Sequence, residues 1–336
     1  MATATQSPLL TLSGIRKEFP GVVALAGVDF ELLPGEVHAL VGENGAGKST
    51  LIKIISGLYR PDSGQMMVGD ETVEFRSPAD SIARRIKVVY QELDLVPDMS
   101  VAENVFLGGF PKTARGLVDW SALNSRTAEL LAELGLDIDP QTPVGELRVA
   151  EQQLVEIARA LSQHARIVIM DEPTSALSPG EVDRLFAVIE QLQERGVGII
   201  YVSHKLDEIF RISDRVTVFR DGQRVTTSPI AETTVQQLVT WMVGRELSDL
   251  YPKSPAVIGE NLLQVSNING PGVHDVSLTV RAGEVVGIFG LMGAGINAVG
   301  RVIFGASPRS GGTVAIEGQT VRPALPAMPW IKASPF

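Results

Sequence analysis

The 336-residue chain contains no cysteine, which rules out disulfides and thiolate metal sites and is compatible with the cytoplasm. No apolar run approaches the roughly 18 residues that a membrane-spanning helix needs. Residues 1–8 lack a basic start followed by an apolar stretch, so no signal peptide is expected there. Positive charge is also scarce. Lys and Arg number 29 against 39 Asp and Glu, a net charge of −10 spread along the chain. That balance argues against nucleic acid as the main partner, but not against a small anion held by a local field. What is present is apolar bulk. Hydrophobic residues make up 44%, enough to bury a real core, and the length allows two domains.

The sequence is organised around Gly42-Glu43-Asn44-Gly45-Ala46-Gly47-Lys48-Ser49-Thr50, a full match to the phosphate-binding pattern G-x-x-x-x-G-K-[ST]. Gly42, Gly45 and Gly47 let the backbone turn tightly and leave no Cβ between the amide N–H groups and a phosphate. Lys48 supplies a point charge for the β- and γ-phosphates, and Ser49 a hydroxyl for Mg²⁺. The context agrees. Val37 to Val41 is a short apolar run that reads as a buried strand, and Ser49 to Ser56 a helical run ended by Gly57. The loop amides then sit at a helix N-terminus, where the dipole favours anions.

Around this loop the sequence alternates strands and helices. Leu9–Ile15 and the alternating Val28, Phe30, Leu32 read as strands. Between them, residues 17–21 read as a turn that carries Phe19. An aromatic there can stack on a base or be a core residue beside a turn, and the residues alone leave both open. Gln65–Phe75 reads as a hairpin around Gly69-Asp70, and Ser77-Pro78 opens a short helix. Ile86–Tyr90 is a strand followed by Gln91, at the edge where ligands bind in α/β sheets. Alone, that Gln would be an ordinary surface residue. Residues 92–165 read as mainly helical, with a capping-box spacing at Ser100 and Glu103, a helix from Ser121 to Leu134, and another from Ala150 to Ser162.

Arg166–Met170 is an apolar strand that runs into Asp171-Glu172. There Asp171 can hold a metal, and Glu172 can orient or deprotonate an attacking water. Ser178-Pro179-Gly180-Glu181 opens a long helix. Val197–Val202 is the next strand and ends at Ser203-His204. A His there is more often structural. Its place beside the strands bearing Gln91 and Asp171 makes it a candidate γ-phosphate sensor. A hairpin at Asp221-Gly222 and a helix from Thr234 to Val243 complete this block. Residues 246–260 read as a linker broken by Pro252 and Pro255.

The chain then repeats itself. Residues 283–290 echo residues 35–42 at an offset of 248, which persists from Val28/Val276 to Val73/Val321. Gly45, Gly47 and Gly64 align with Gly293, Gly295 and Gly312, but Lys48 and Ser49 align with Ile296 and Asn297. A duplicated domain whose second copy does not bind MgATP as the first does is expected.

These elements, in this order, resemble the nucleotide-binding cassette of the ATP-binding cassette (ABC) transporters over residues 10–245. The resemblance is carried by the P-loop, Gln91 at the Q-loop, Leu147-Arg148-Val149-Ala150-Glu151 at the signature, and Asp171-Glu172 with the loop Ser175-Ala176-Leu177-Ser178. His204 stands at the family's switch position. Residues 17–22, 90–93, 155–158, 219–222 and 270–273 are similar to two-cassette carbohydrate importers of the ribose/galactose/xylose group.

The resemblance implies an α/β fold with a P-loop NTPase (RecA-like) core, an antiparallel β subdomain and a helical subdomain at about 92–165. The implied domains are a tail at 1–8, a first cassette at 9–245 and a partial second cassette at 261–336. It implies ATP hydrolysis coupled to sugar uptake, with ATP and Mg²⁺ as ligands. Residues 42–50 would hold the phosphates, Phe19 would stack on adenine, and Ser49, Gln91 and Asp171 would place the metal. Glu172, His204 and Gln91 would be catalytic.

The implied partners are membrane permease subunits docked on the helical block and, through them, a sugar-binding protein. A second cassette or a homodimer is also implied, all at the cytoplasmic face of the membrane. Rival readings are a soluble ABC ATPase without a permease and a non-catalytic nucleotide-binding fragment. Two departures stand out. Arg148 occupies the place of the signature serine, which in the family grips the γ-phosphate of ATP on the opposite cassette. After Val321 the sequence no longer follows the family, and reads like a truncated or frameshifted product.

Overall fold

The computed structural model describes residues 7–90, 93–162, 164–244, 256–290 and 293–321. The chain divides into two units, one up to residue 250 and one from residue 251. In chain order the first contains β1 (Leu10–Phe19), β2 (Val22–Leu32), β3 (Val37–Val41), α1 (Lys48–Ile55), β4 (Ser63–Val68), β5 (Glu71–Val73), α2 (Pro78–Ala83), β6 (Ile86–Val89) and α3 (Val101–Val105). It continues with α4 (Trp120–Glu133), α5 (Val149–Ser162), β7 (Ile167–Asp171), α6 (Pro179–Glu194), β8 (Gly198–Val202), α7 (Leu206–Ile212), β9 (Arg215–Arg220), β10 (Gln223–Pro229) and α8 (Val235–Val243).

The central sheet has the order β10-β9-β3-β8-β7-β6. Strands β9, β3, β8, β7 and β6 are parallel, and β10 is an antiparallel edge. Every residue of β3 and β8 is buried, the signature of strands covered on both faces. The pleat then splits neighbouring residues between two cores. Val168, Met170, Ile199 and Tyr201 pack with α5 and α6. Ile167, Ile169, Ile200 and Val202 pack with α1 and the antiparallel sheet β2-β1-β4-β5. Because the strands are parallel, their C-terminal ends share one edge. From that edge emerge the 42–47 loop after β3, Asp171-Glu172 at the end of β7, and Ser203-His204 after β8.

Some local expectations shift. Lys17–Phe19 belong to β1 rather than to a turn. Phe19 pairs with Val22, leaving only Pro20-Gly21 as the connection, with Gly21 at φ 81°. Helix α4 is capped by Asp119, whose carboxylate accepts from the Ala122 amide at 3.0 Å, so it starts ahead of Ser121. The Ser100–Glu103 capping box forms as read, with Ser100 N donating to Glu103 Oε2 at 2.8 Å.

The second unit contains β11 (Asn261–Gly270), β12 (Val273–Arg281), α9 (Ile296–Phe304), β13 (Gly311–Ile316) and β14 (Gln319–Thr320). Its sheet order β12-β11-β13-β14 matches β2-β1-β4-β5. Gly293 and Gly295 take φ of 89° and 80°, as Gly45 and Gly47 take 84° and 105°. The run that echoes β3 differs. Residues 284–290 form no strand, and Val285 and Phe289 are each 98% exposed where Val37 and Val41 are fully buried. The buried strand owes its state to β8 and β9 on either side. Among the described residues no strand pairs with 284–290.

Candidate phosphate-binding site

The loop between β3 and α1 is shaped by close backbone approaches. At Gly42, with φ 152°, a Cβ would lie 2.2 Å from the Phe219 carbonyl oxygen. At Gly47, with φ 105°, it would lie 2.7 Å from the Ala24 carbonyl oxygen. Gly47 is the N-cap of α1 and offers no side chain, so the first-turn amides keep their hydrogen-bonding capacity for an anion. Lys48 Nζ folds back along the loop and donates to the carbonyl oxygens of Gly42 at 2.7 Å and Glu43 at 3.1 Å. Burial lowers its pKa, against the opposing fields of Asp171 and Glu172.

A cavity of about 290 Å³ lies over this loop, lined by residues 44–50, Asp171 and Glu172. The structure thus brings most of the sequence-selected loop to the acidic end of β7. Burial and the neighbouring Glu172 charge raise the pKa of Asp171, while Lys48 and Lys53 pull it down. Lys53 escaped the sequence reading, although its place on α1 four residues beyond Ser49 was a usable signal. A hydroxyl and a carboxylate on one cavity wall are the hard oxygen donors that Mg²⁺ takes when phosphate and water supply the remaining positions. Among the described residues no group of three or more His, Cys, Asp or Glu side chains could cage a metal without them.

Glu172 sits just past the end of β7 at φ 49°, a left-handed conformation that is uncommon for a non-glycine residue. Its amide donates to the Val202 carbonyl at 2.9 Å, locking it to the end of β8. His204 Nδ1 lies 3.2 Å from Glu172 Oε1, and the His side chain is 66% exposed. Phe19 ends β1 at 37% exposure and meets Tyr59 edge-to-face at 5.4 Å between ring centroids. Nothing in the spacing marked Tyr59, because the pair forms only when β1 meets the segment after α1. Gln91 lies outside the described residues.

The 147–151 segment is not part of the cavity lining. Leu147 follows a short 3-10 turn, Arg148 and Val149 are exposed, and Ala150 is buried in α5. The Arg148 amide donates to Glu151 Oε2 at 2.9 Å, a cap at the start of α5 that leaves its guanidinium on the surface.

Residues 25–175 match the family model described as ABC transporter. A ribose import ATP-binding protein of Streptomyces avermitilis is 52% identical over 314 residues, 93% of this chain and 60% of that protein. One of Rubrobacter xylanophilus is 50% identical over 321 residues, 95% of this chain and 62% of that protein. The chain therefore spans about three fifths of the length of these curated relatives. Among solved structures, the ADP conformation of an ATP-binding cassette of an ABC transporter matches with a TM-score of 0.62 at 26% identity. It covers 71% of this chain and 99% of that one.

Proposed function

We propose that the chain is a member of the ABC transporter ATP-binding proteins, to which residues 25–175 and the relatives above are similar, and that it binds and hydrolyses MgATP as a subunit of a carbohydrate importer. The observation that carries the reading is the single cavity shared by residues 44–50, Asp171 and Glu172. The loop amides and Lys48 bind the phosphates. Ser49, Asp171 and Gln91 are the residues that would hold Mg²⁺, which would supply positive charge to the phosphates. Glu172 orients the attacking water and takes up its proton. His204, in contact with Glu172, steadies the γ-phosphate. Phe19, backed by Tyr59, is the ring on which the base would stack.

The relatives named for ribose import support a sugar as the cargo class. The family resemblance supports a permease docked on the helical block around α3, α4 and α5, a sugar-binding protein beyond it, and a peripheral place at the cytoplasmic membrane face. No described helix is long and apolar enough to cross a membrane itself. We further read residues 261–321 as a second cassette copy that lacks the lysine and hydroxyl needed for MgATP.

The test is calorimetry with MgATP on the 336-residue chain. Lys48→Ala removes a charge from a desolvated phosphate site and is expected to cost on the order of 2–4 kcal/mol of binding. Unchanged affinity in Lys48→Ala overturns the assignment of this loop.

A further inference from the structure

One buried carboxylate joins the two loops that carry Glu172 and His204. Glu208 stands on α7 and is 5% exposed. Its Oε2 accepts from Thr174 Oγ1 at 2.8 Å, Tyr201 Oη at 2.8 Å and Ser203 Oγ at 3.1 Å. Its Oε1 pairs with Lys205 Nζ at 3.1 Å. Lys205 Nζ in turn donates to the Thr174 carbonyl oxygen at 3.0 Å, and the Lys205 amide donates to Ser203 Oγ at 3.1 Å. Burial alone would raise the Glu208 pKa. Hydrogen bonds from Thr174, Tyr201, Lys205 and Ser203 outweigh it and hold the carboxyl below its ordinary range. Glu208 is therefore an anion whose acceptor capacity is spent on both loops.

The backbone alone does little to hold those loops together. Strands β7 and β8 are in register up to Asp171 and Val202. Beyond that pair, the amide of Glu172 reaches the Val202 carbonyl, and among the described residues no further backbone hydrogen bond joins 173–175 to 203–205. Past this point Glu208 and Lys205 bridge the gap with side chains. An anion suits the task because it accepts several donors at once in a low-dielectric pocket, which a hydroxyl or an apolar contact cannot do.

We propose that Glu208 is a positioning residue for hydrolysis, holding Glu172 and His204 at their 3.2 Å contact through Thr174 and Lys205. The proposal rests on the reading of Glu172 and His204 as the hydrolytic pair. Glu208 does not line the phosphate cavity. Its effect passes through the geometry of the pair, where displacements near 1 Å are costly.

The test is Glu208→Gln in the 336-residue chain. The change keeps the shape, removes the charge and turns an N–H₂ donor toward Lys205. Turnover is expected to fall by roughly 10- to 100-fold, with the KM for MgATP and the calorimetric stoichiometry within about 2-fold of wild type. In a Glu172→Gln background the same change is expected to add less than about 2-fold, because the group being positioned is gone. Thr174→Val is expected to reproduce part of the loss. Amide exchange at Ser175 and Lys205 is expected to quicken by at least about 10-fold, with Ile169 and Ile200 unchanged.

Unchanged turnover, or a full additive loss in the Glu172→Gln background, overturns the proposal. So does faster exchange spread evenly over the sheet, which would mark general destabilisation. If the wild type itself shows no turnover, the hydrolytic reading fails, and exchange alone decides. Unchanged protection at Ser175 and Lys205 then overturns the positioning role.

Discussion

Glu172 is where residue-scale chemistry is most exposed to test. It lines the cavity, contacts His204 and is locked to β8 by its amide. Glu172→Gln keeps shape and removes basicity, so steady-state turnover is expected to fall by roughly 10²–10⁴ while MgATP binding persists. Near-wild-type hydrolysis in the variant would remove Glu172 from the base role. A second carboxyl carries a different prediction. Glu156 on α5 is buried, its Oε1 accepts only a 3.2 Å bond from the Asp94 amide, and its Oε2 has no partner.

Burial raises the Glu156 pKa from 4.5 to about 7, with the Asp94 amide and Arg159 opposing and the Asp94 charge adding to the rise. The folded chain thus keeps a proton that the unfolded chain releases near pH 4.5. The sign follows. Stability contributed at this site falls as pH rises from about 4.5 to 7, by up to about 3 kcal/mol, and is flat above. Urea unfolding of wild type and Glu156→Gln across that window measures it. The wild type is expected to lose stability relative to the variant as pH rises, and parallel curves would refute the placement of Glu156.

At the scale of elements, β3 and its echo make a natural comparison. Residues 283–290 echo residues 35–42 in sequence, and a local pattern cannot tell the two runs apart. Burial of Val37–Val41 depends on β8 and β9, which arrive from far along the chain, while residues 284–290 have no such neighbour among the described residues. Amides of 285–289 are expected to exchange at least about 10³-fold faster than those of 37–41. Equal protection would contradict the exposed state of Val285 and Phe289.

The same distinction sorts what the sequence revealed. The P-loop, the capping box at Ser100 and the acidic end of β7 depend on spacing within a few residues, and they were legible. The end of β1 was misplaced because Lys17–Phe19 are recruited by pairing with β2. The cap at Asp119 was passed over in favour of Ser121, two residues on. Helix α7 carried no cap or motif that drew notice. Glu208 was invisible for a stronger reason, since the distant half of its network, Thr174, comes from a segment that meets α7 only in the folded sheet. The left-handed backbone of Glu172 likewise has no sequence mark. The loop residues 44–50, Asp171 and Glu172 were each selected from sequence and do share one cavity. Arg148 lies on the surface outside it.

For the whole molecule, the sequence holds one P-loop with its lysine and one signature-position segment, and that segment does not line the cavity of its own chain. The family resemblance implies that ATP is enclosed between two cassettes, so two chains pairing head to tail would bring Arg148 to a partner's phosphate. The resemblance implies that an arginine then stands where the family has a serine donor, and a lost transition-state donor costs about 10²–10³ in rate. Arg148→Ser is therefore expected to raise turnover, and only at concentrations where chains associate. A variant rate equal to wild type at every concentration would show that Arg148 does not meet phosphate. The most direct measurement is the steady-state ATPase rate per chain against protein concentration, for wild type and Glu172→Gln side by side. The account predicts a weak wild-type rate that climbs as chains pair and is lost with Glu172. A brisk rate per chain that ignores concentration and survives Glu172→Gln would contradict it.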